Sequence, residues 1–217
     1  VIIRAVVDTN IVISGVLTPG GTPAEVLRGA GVAFRLVWTP GIVAECLRVL
    51  TYEKVARRLR AVRGEEAARA LVGRLADGAD LVAPELLPQL RAVKDDPSDD
   101  LFLATALAGG APIVVSGDRR HLLSMREFAG VRIIDAATFA EELGLGGGGR
   151  RPGRPGSVHE PADKGAAEQP RRFARKALLE SMESRGESDL TDDEAMKLAL
   201  EGQRWARAQA RRARRGR

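Results

Sequence analysis

The chain has 217 residues and a formal net charge of +5, with 44% hydrophobic and only 4% aromatic residues. That is room for one ordinary domain plus an appendage, around a core that must be mostly aliphatic. No apolar run approaches the roughly 18 to 20 residues of a spanning helix, so no membrane segment is expected. Cys46 is the lone cysteine, which leaves no intrachain disulfide, and with only His121 and His159 beside it a zinc site is not expected. The amino-terminal VIIRAVVDTN enters a strand pattern with no signal-peptide character, so a cytoplasmic setting is expected. The charge is unevenly divided: residues 1–145 carry 17 basic and 18 acidic side chains, residues 146–217 carry 17 and 11. The basic excess therefore belongs to the tail.

In chain order, residues 2–7 (IIRAVV) and 34–38 (FRLVW) read as strands, followed by helical patterns at 40–51, 53–62 and 65–77. A helix fits 99–109, a strand 112–115, a short helix 119–125, a strand 131–134 and a helix 136–143. Apolar strands separated by helices predict a three-layer α/β domain with a parallel sheet and right-handed crossovers. Residues 146–170, GGGGRRPGRPGSVHEPADKGAAEQP, have almost nothing to bury and read as a disordered linker. Residues 171–217 read as a helical, arginine-rich tail, with Phe173, Ala177, Leu178 and Met182 near helical spacing. Thr191 and Glu194 make a capping-box pattern that starts a second helix there. The predicted organisation is a domain over 1–145, a linker over 146–170 and the tail.

Open parallel sheets bind ligands beyond the carboxyl ends of their strands. Asp8 follows the first strand (AVVDTN) and Asp118 follows the PIVV strand (VVSGDRR). Either alone reads equally well as a polar turn residue or helix cap; two at equivalent strand ends are harder to dismiss. Glu45, in TPGIVAECLRVL, lies at the edge of a stripe formed by Ile42, Val43, Cys46, Leu47, Val49 and Leu50. Taken singly, it reads more simply as an exposed helical glutamate. The segment VKDDPSDDLFLATALAGG places Asp95, Asp96, Asp99 and Asp100 at a helix start, where the dipole favours carboxylates and Ser98 can cap. On the helical wheel Asp99 falls near the centre of the Phe102, Leu103, Ala106 and Leu107 stripe, and Asp100 points about 90° away. A carboxylate aimed along a core-facing stripe is costly unless paired or metal-bound, which favours Asp99.

The ordered set VVDTN, a helical Glu followed by LRVL, DPSDDLFLATAL and VVSGDRRHLL resembles the PIN-domain family, in its prokaryotic branch related to the VapC toxins. The resemblance covers roughly residues 3–140. It implies a PIN-like fold and a ribonuclease that is the toxin of a toxin–antitoxin pair. It implies that Asp8, Glu45, Asp99 and Asp118 surround the active site and bind Mg²⁺ or Mn²⁺, with Asn10 and Ser116 as small polar neighbours. Water would attack without a covalent intermediate, leaving 5′-phosphate and 3′-hydroxyl ends. The chemistry suits the residues: hard divalent cations prefer oxygen ligands, and they reverse the local field so that an acidic cluster can accept a phosphate. A haloacid-dehalogenase-type phosphatase would want a second Asp where Asn10 stands, a dinucleotide site would want GxGxxG after the first strand, and the acidic pair and lysine of a receiver domain are not evident. Cys46 reads as core, and Arg119, Arg120 and His121 as either a solvated helix start or phosphate contacts. Expected partners are RNA, an antitoxin protein or the chain's own tail, and a second copy in a homodimer. The tail has two readings: it tethers RNA through its arginines, or it resembles the carboxy-terminal part of an antitoxin, which implies helices docked on the domain with Arg204, Arg207 or Arg211 partly neutralising the acidic site in place of metal. The runner-up function is a PIN protein of RNA maturation or RNA binding, regulated by that tail.

Overall fold

The computed structural model describes residues 2–61, 64–93, 96–145 and 190–215. The stretch predicted as linker, and Phe173, Ala177, Leu178 and Met182 of the tail, lie outside them, as does Asp95. In chain order the elements are β1 (Ile3–Val7), α1 (Thr9–Leu17), α2 (Thr22–Gly29), β2 (Phe34–Trp38), α3 (Pro40–Val49), α4 (Glu53–Ala61) and α5 (Glu65–Gly78). There follow β3 (Asp80–Leu81), α6 (Asp100–Gly109), β4 (Ile113–Val115), α7 (Leu122–Met125), β5 (Glu127–Phe128), β6 (Val131–Ile134), α8 (Ala136–Glu142) and a long terminal helix, α9 (Asp192–Arg215).

The six strands form one sheet in the order β3-β2-β1-β4-β6-β5, flanked by helices. All pairs are parallel except β5 with β6. The sheet is mostly parallel, as expected, and its antiparallel edge comes from β5, a strand not read from the sequence. The cause is local: Ala129 and Gly130 both have positive φ, 49° and 81°, as a two-residue hairpin turn of type I′ requires.

The chain starts in the middle of the sheet. From β1 it moves outward through β2 to β3, then returns to the other side of β1 with β4. The carboxyl ends of β1 and β4 therefore flank a switch point, where loops leave in opposite directions and a crevice opens. Asp8 follows β1 there, its amide donating to Val115 O at 2.9 Å, and Ser116 follows β4, its amide donating to Ile134 O at 3.0 Å. Trp38 at the end of β2 donates from Nε1 to Val7 O at 2.9 Å, pinning the same edge.

Two helices absent from the sequence-based reading complete this edge. All nine residues of α1 (TNIVISGVL) are buried, so it has no exposed face and no amphipathic period to read. It packs among α2, α3 and α9. Helix α2 begins at Gly21, which offers no side chain to cap it; the cap comes from Asp192, the first residue of α9, whose carboxylate accepts from Thr22 N at 2.9 Å. The predicted helix at 119–125 shortens to Leu122–Met125 because the Asp118 carboxylate accepts from the amides of Arg120 and His121 and holds a turn. The Thr191 capping box forms: Thr191 N donates to Glu194 Oε2 at 2.9 Å and Glu194 N donates to Thr191 Oγ1 at 3.3 Å.

The carboxyl end of α6 tests the packing. A Cβ at Gly109 would collide with Val37 Cγ1 on β2 and lie 3.0 Å from Val82 Cγ2, both on buried branched side chains that cannot swing away. Gly109→Ala is expected to destabilise the chain by about 1 to 3 kcal/mol, as overpacking does, measured by denaturant unfolding. An unchanged midpoint would show that α6 sits farther from β2.

Candidate active site

Each sequence-predicted acid sits at the switch-point edge, on a different element. Asp8 is the N-cap of α1 and is fully buried. Asn10 Nδ2 and Ser116 Oγ each donate to its Oδ2 at 2.6 Å. Asn10 also accepts from Gly117 N at 2.8 Å through its Oδ1, tying the loop after β4 to α1. Asn10 and Ser116 thus orient Asp8, as small polar residues beside a buried acid should.

Glu45 projects from α3, whose start is set by the Thr39 cap and Pro40. At 7% exposure it is buried, and the exposed-glutamate reading of this residue fails. Asp99 is 1% exposed and Asp100 7%. Asp99 faces the acid cluster; Asp100 turns away and accepts from Ala92 N and Val93 N, both at 3.0 Å. The wheel separates the two correctly, but Asp100 is a loop anchor and not a solvent-facing residue. Ser98 does not cap α6; its amide donates to Asp96 Oδ1 at 3.1 Å.

Asp118 joins through Ser116, whose Oγ accepts from Asp118 N at 3.1 Å. Its Oδ2 lies 2.9 Å from His121 Nδ1, and that nitrogen is 3.5 Å from Asp99 Oδ2. The polar-turn role of Asp118 and its place beside the other acids therefore coexist. His121 is a member of this constellation that the sequence signalled only as one of three polar residues after Asp118.

Above the cluster runs α9. Gln203 Nε2 donates to Asp8 Oδ1 at 2.7 Å and to Glu45 Oε1 at 2.8 Å, while its Oε1 accepts from Asn10 Nδ2 at 3.2 Å. Arg207 sets Nη1 2.7 Å from Asp99 Oδ1 and 2.9 Å from Asp96 Oδ2, and Nε 3.4 Å from Glu45 Oε2. Its guanidinium carbon lies 5.7 Å from the centre of the Phe102 ring. Of the three arginines singled out by charge, Arg207 is the one buried among the acids; Arg211 lies 3.5 Å from Asp96 and is half-exposed, and Arg204 lines a neighbouring groove. Gln203 carried no signal in the sequence.

Burial dominates the electrostatics. It raises Asp8 to about 6 against the opposing pull of Arg207, with Glu45 adding repulsion. It raises Asp99 to about 7, again against Arg207. Burial would raise Asp96 too, but the charge and hydrogen bond of Arg207, joined by the hydrogen bonds from Ser98, outweigh it and hold that carboxyl below its ordinary value. Arg207 itself is buried at a cost to its charge, yet the surrounding Glu45, Asp99, Asp8 and Asp96 hold its proton more firmly than usual. Cys46 is buried core, its thiol pushed up by desolvation, and is no nucleophile.

The donor set fits a hard divalent cation: oxygens of buried carboxylates plus one imidazole. Neither oxygen of Asp99 has a well-aligned hydrogen bond; its partners are charge contacts that an ion could replace. Among the described residues, ligand atoms of Asp99, Asp118 and His121 lie within 4.8 Å of one another.

A mostly parallel sheet thus gathers buried acids at its switch point, a set of oxygen donors that could hold a divalent cation. Residues 4–120 match the family model described as PIN domain, and the chain belongs to that family. No curated protein and no solved structure matches it. PIN domains are in general metal-dependent nucleases, and the acidic cluster could bind the metal.

Proposed function

We propose that this chain is a Mg²⁺- or Mn²⁺-dependent endoribonuclease, with Asp8, Glu45, Asp99 and Asp118 as its catalytic and metal-holding residues. The observation that carries the reading is the acid cluster at the β1/β4 edge of a PIN fold, where Asp8 and Asp99 are raised by burial and their charge calls for a cation. When bound, the cation would offset charge on the phosphate and lower the pKa of the attacking water. Asn10 and Ser116 hold Asp8 in place, and His121 orients Asp118. Arg119 and Arg120, on the groove beside Asp118, would meet the RNA backbone.

The biological role that fits is the toxin of a type II toxin–antitoxin system, acting in the cytoplasm and paired as a homodimer. Support comes from the DTN, DPSDD and SGD segments and from a helix seated on the acids as an inhibitory partner would sit. A second reading, RNA maturation under control of the tail, is favoured by that helix belonging to the same chain. Growth arrest on induced expression separates the two.

RNA incubated with the purified chain in excess Mn²⁺ is expected to be cut, and EDTA to abolish cutting. Undiminished cleavage in EDTA would sink the metal-dependent reading.

A further inference from the structure

Helix α9 is built to lie close. Ala195, Ala199 and Ala206 are fully buried along one side, and a Cβ at Gly202 would come within 2.8 Å of Val49 Cγ1 and 3.1 Å of Tyr52 Cδ1. This small-residue side lets the backbone approach α1 and α3 until Gln203 and Arg207, one turn apart, reach the acids. Contacts away from the acids anchor the helix: the Asp192 cap on α2, and Trp205 tilted against Tyr52 with ring centres 5.4 Å apart. The polar contacts are not those of a helix that merely covers a core. The two polar side chains buried here are spent on Asp8, Glu45, Asp96 and Asp99. With Asp8 0% and Asp99 1% exposed, no phosphate can reach either while α9 stays.

We propose that α9 is an inhibitor carried by the chain itself, which competes with the divalent cation for Asp8, Glu45 and Asp99: the Gln203 amide and the Arg207 guanidinium hold these carboxylates in the cation's stead, and the site opens when the helix lifts. The proposal rests on the metal-dependent reading of the same site. The substitution is incomplete in charge, one guanidinium and a neutral amide against four carboxylates, so a dication displaces the helix by mass action. Because the helix and the site share a chain, dilution does not weaken the inhibition. Among the described residues, the side-chain hydrogen bonds and ion pairs of Gln203 and Arg207 go to Asp8, Asn10, Glu45, Asp96 and Asp99, while Asp118 is held by the Arg120 and His121 amides and the His121 ring.

The test uses full-length chains. Gly202→Leu should hold α9 off Val49 and Tyr52 without altering any acid or either of their partners; Trp205→Ala loosens the helix by a different contact should the first variant fold poorly. Mn²⁺ binding is measured by titration, and helix docking by hydrogen exchange of the α9 amides with and without Mn²⁺. Both variants are expected to bind Mn²⁺ at least about tenfold more tightly than the parent. In the parent, Mn²⁺ is expected to speed exchange in α9, and RNA cleavage should rise in the variants in step with Mn²⁺ binding. Equal Mn²⁺ affinity in all three chains, with α9 equally protected in metal, would overturn the competition. Tighter Mn²⁺ binding and faster exchange with no cleavage of any RNA would uphold the competition and instead overturn the nuclease reading. Inhibition that disappears on dilution would assign the helix to a second copy and overturn its intramolecular form.

Discussion

Asp8→Asn is expected to lower RNA cleavage in saturating Mn²⁺ by about 100-fold or more while leaving a fold that is more stable than the parent at neutral pH without metal. The activity loss follows from removing a charged oxygen at the switch point. The stability gain follows from linkage. Asp8 has its proton affinity raised from the ordinary 3.8 to about 6 by burial. Between those values the folded chain keeps a proton that the unfolded chain has released, so stability falls as pH rises through that window. Above it the charged Asp8 weighs against the fold by on the order of 3 kcal/mol. Asparagine removes that charge at constant shape. With its carbonyl toward Gln203 and its amide toward Ser116, whose hydroxyl can rotate to accept, the new side chain keeps two partners, and Asn10 Nδ2, which loses its acceptor at this position, still donates to Gln203 Oε1. Asp99, raised to about 7, acts in the same direction, so the parent's melting temperature in chelator should decline from about pH 4 to about pH 7. The decline should be shallower for Asp8→Asn. A variant melting clearly below the parent at pH 7 would show that the hydrogen bonds to Asp8 outweigh its desolvation.

Arg207→Ala should have the opposite signature: a large loss of stability without metal that Mn²⁺ largely restores. The side chain is 4% exposed and is the buried cation facing Glu45, Asp96 and Asp99. Removing one member of a buried ion pair leaves the other charges uncompensated, at a typical cost of about 3 to 5 kcal/mol. Asp96 loses the guanidinium that holds its carboxyl below the usual range, so part of the loss appears as proton uptake at that residue. Gln203→Ala removes a neutral amide that donates to Asp8 and Glu45 and accepts from Asn10, and should cost about 1 to 3 kcal/mol, chiefly from the partners left unpaired. Unfolding is followed in chelator and again in excess Mn²⁺. If Mn²⁺ failed to recover Arg207→Ala, the cation and the guanidinium would not be serving the same carboxylates.

Much of this molecule was legible from residues alone, because the relevant signals are local. Apolar runs place β1, β2, β4 and β6, and a residue at a strand's end occupies the sheet's edge whatever surrounds it; Asp8 and Asp118 are found that way. The α6 wheel separates Asp99 from Asp100, since helical phase is a property of one segment. The PIN motifs carried the assignment of all four acids. What escaped depends on more than one segment. Helix α1 is buried on every side because α2, α3 and α9 pack around it, and a helix enclosed all round has no solvent-facing side to set a period. Glu45 stands at the edge of its own stripe, and its bonds to Gln203 and Arg207 exist only because α9 lies over it. The charge of the tail could nominate Arg204, Arg207 and Arg211 together, but choosing Arg207 required knowing which side of α9 meets the acids. Local preference is written along the chain, one residue after another. Burial, and with it the cost of every charge in this site, is set by elements as far apart as residues 8 and 207, and so was decided only when they packed.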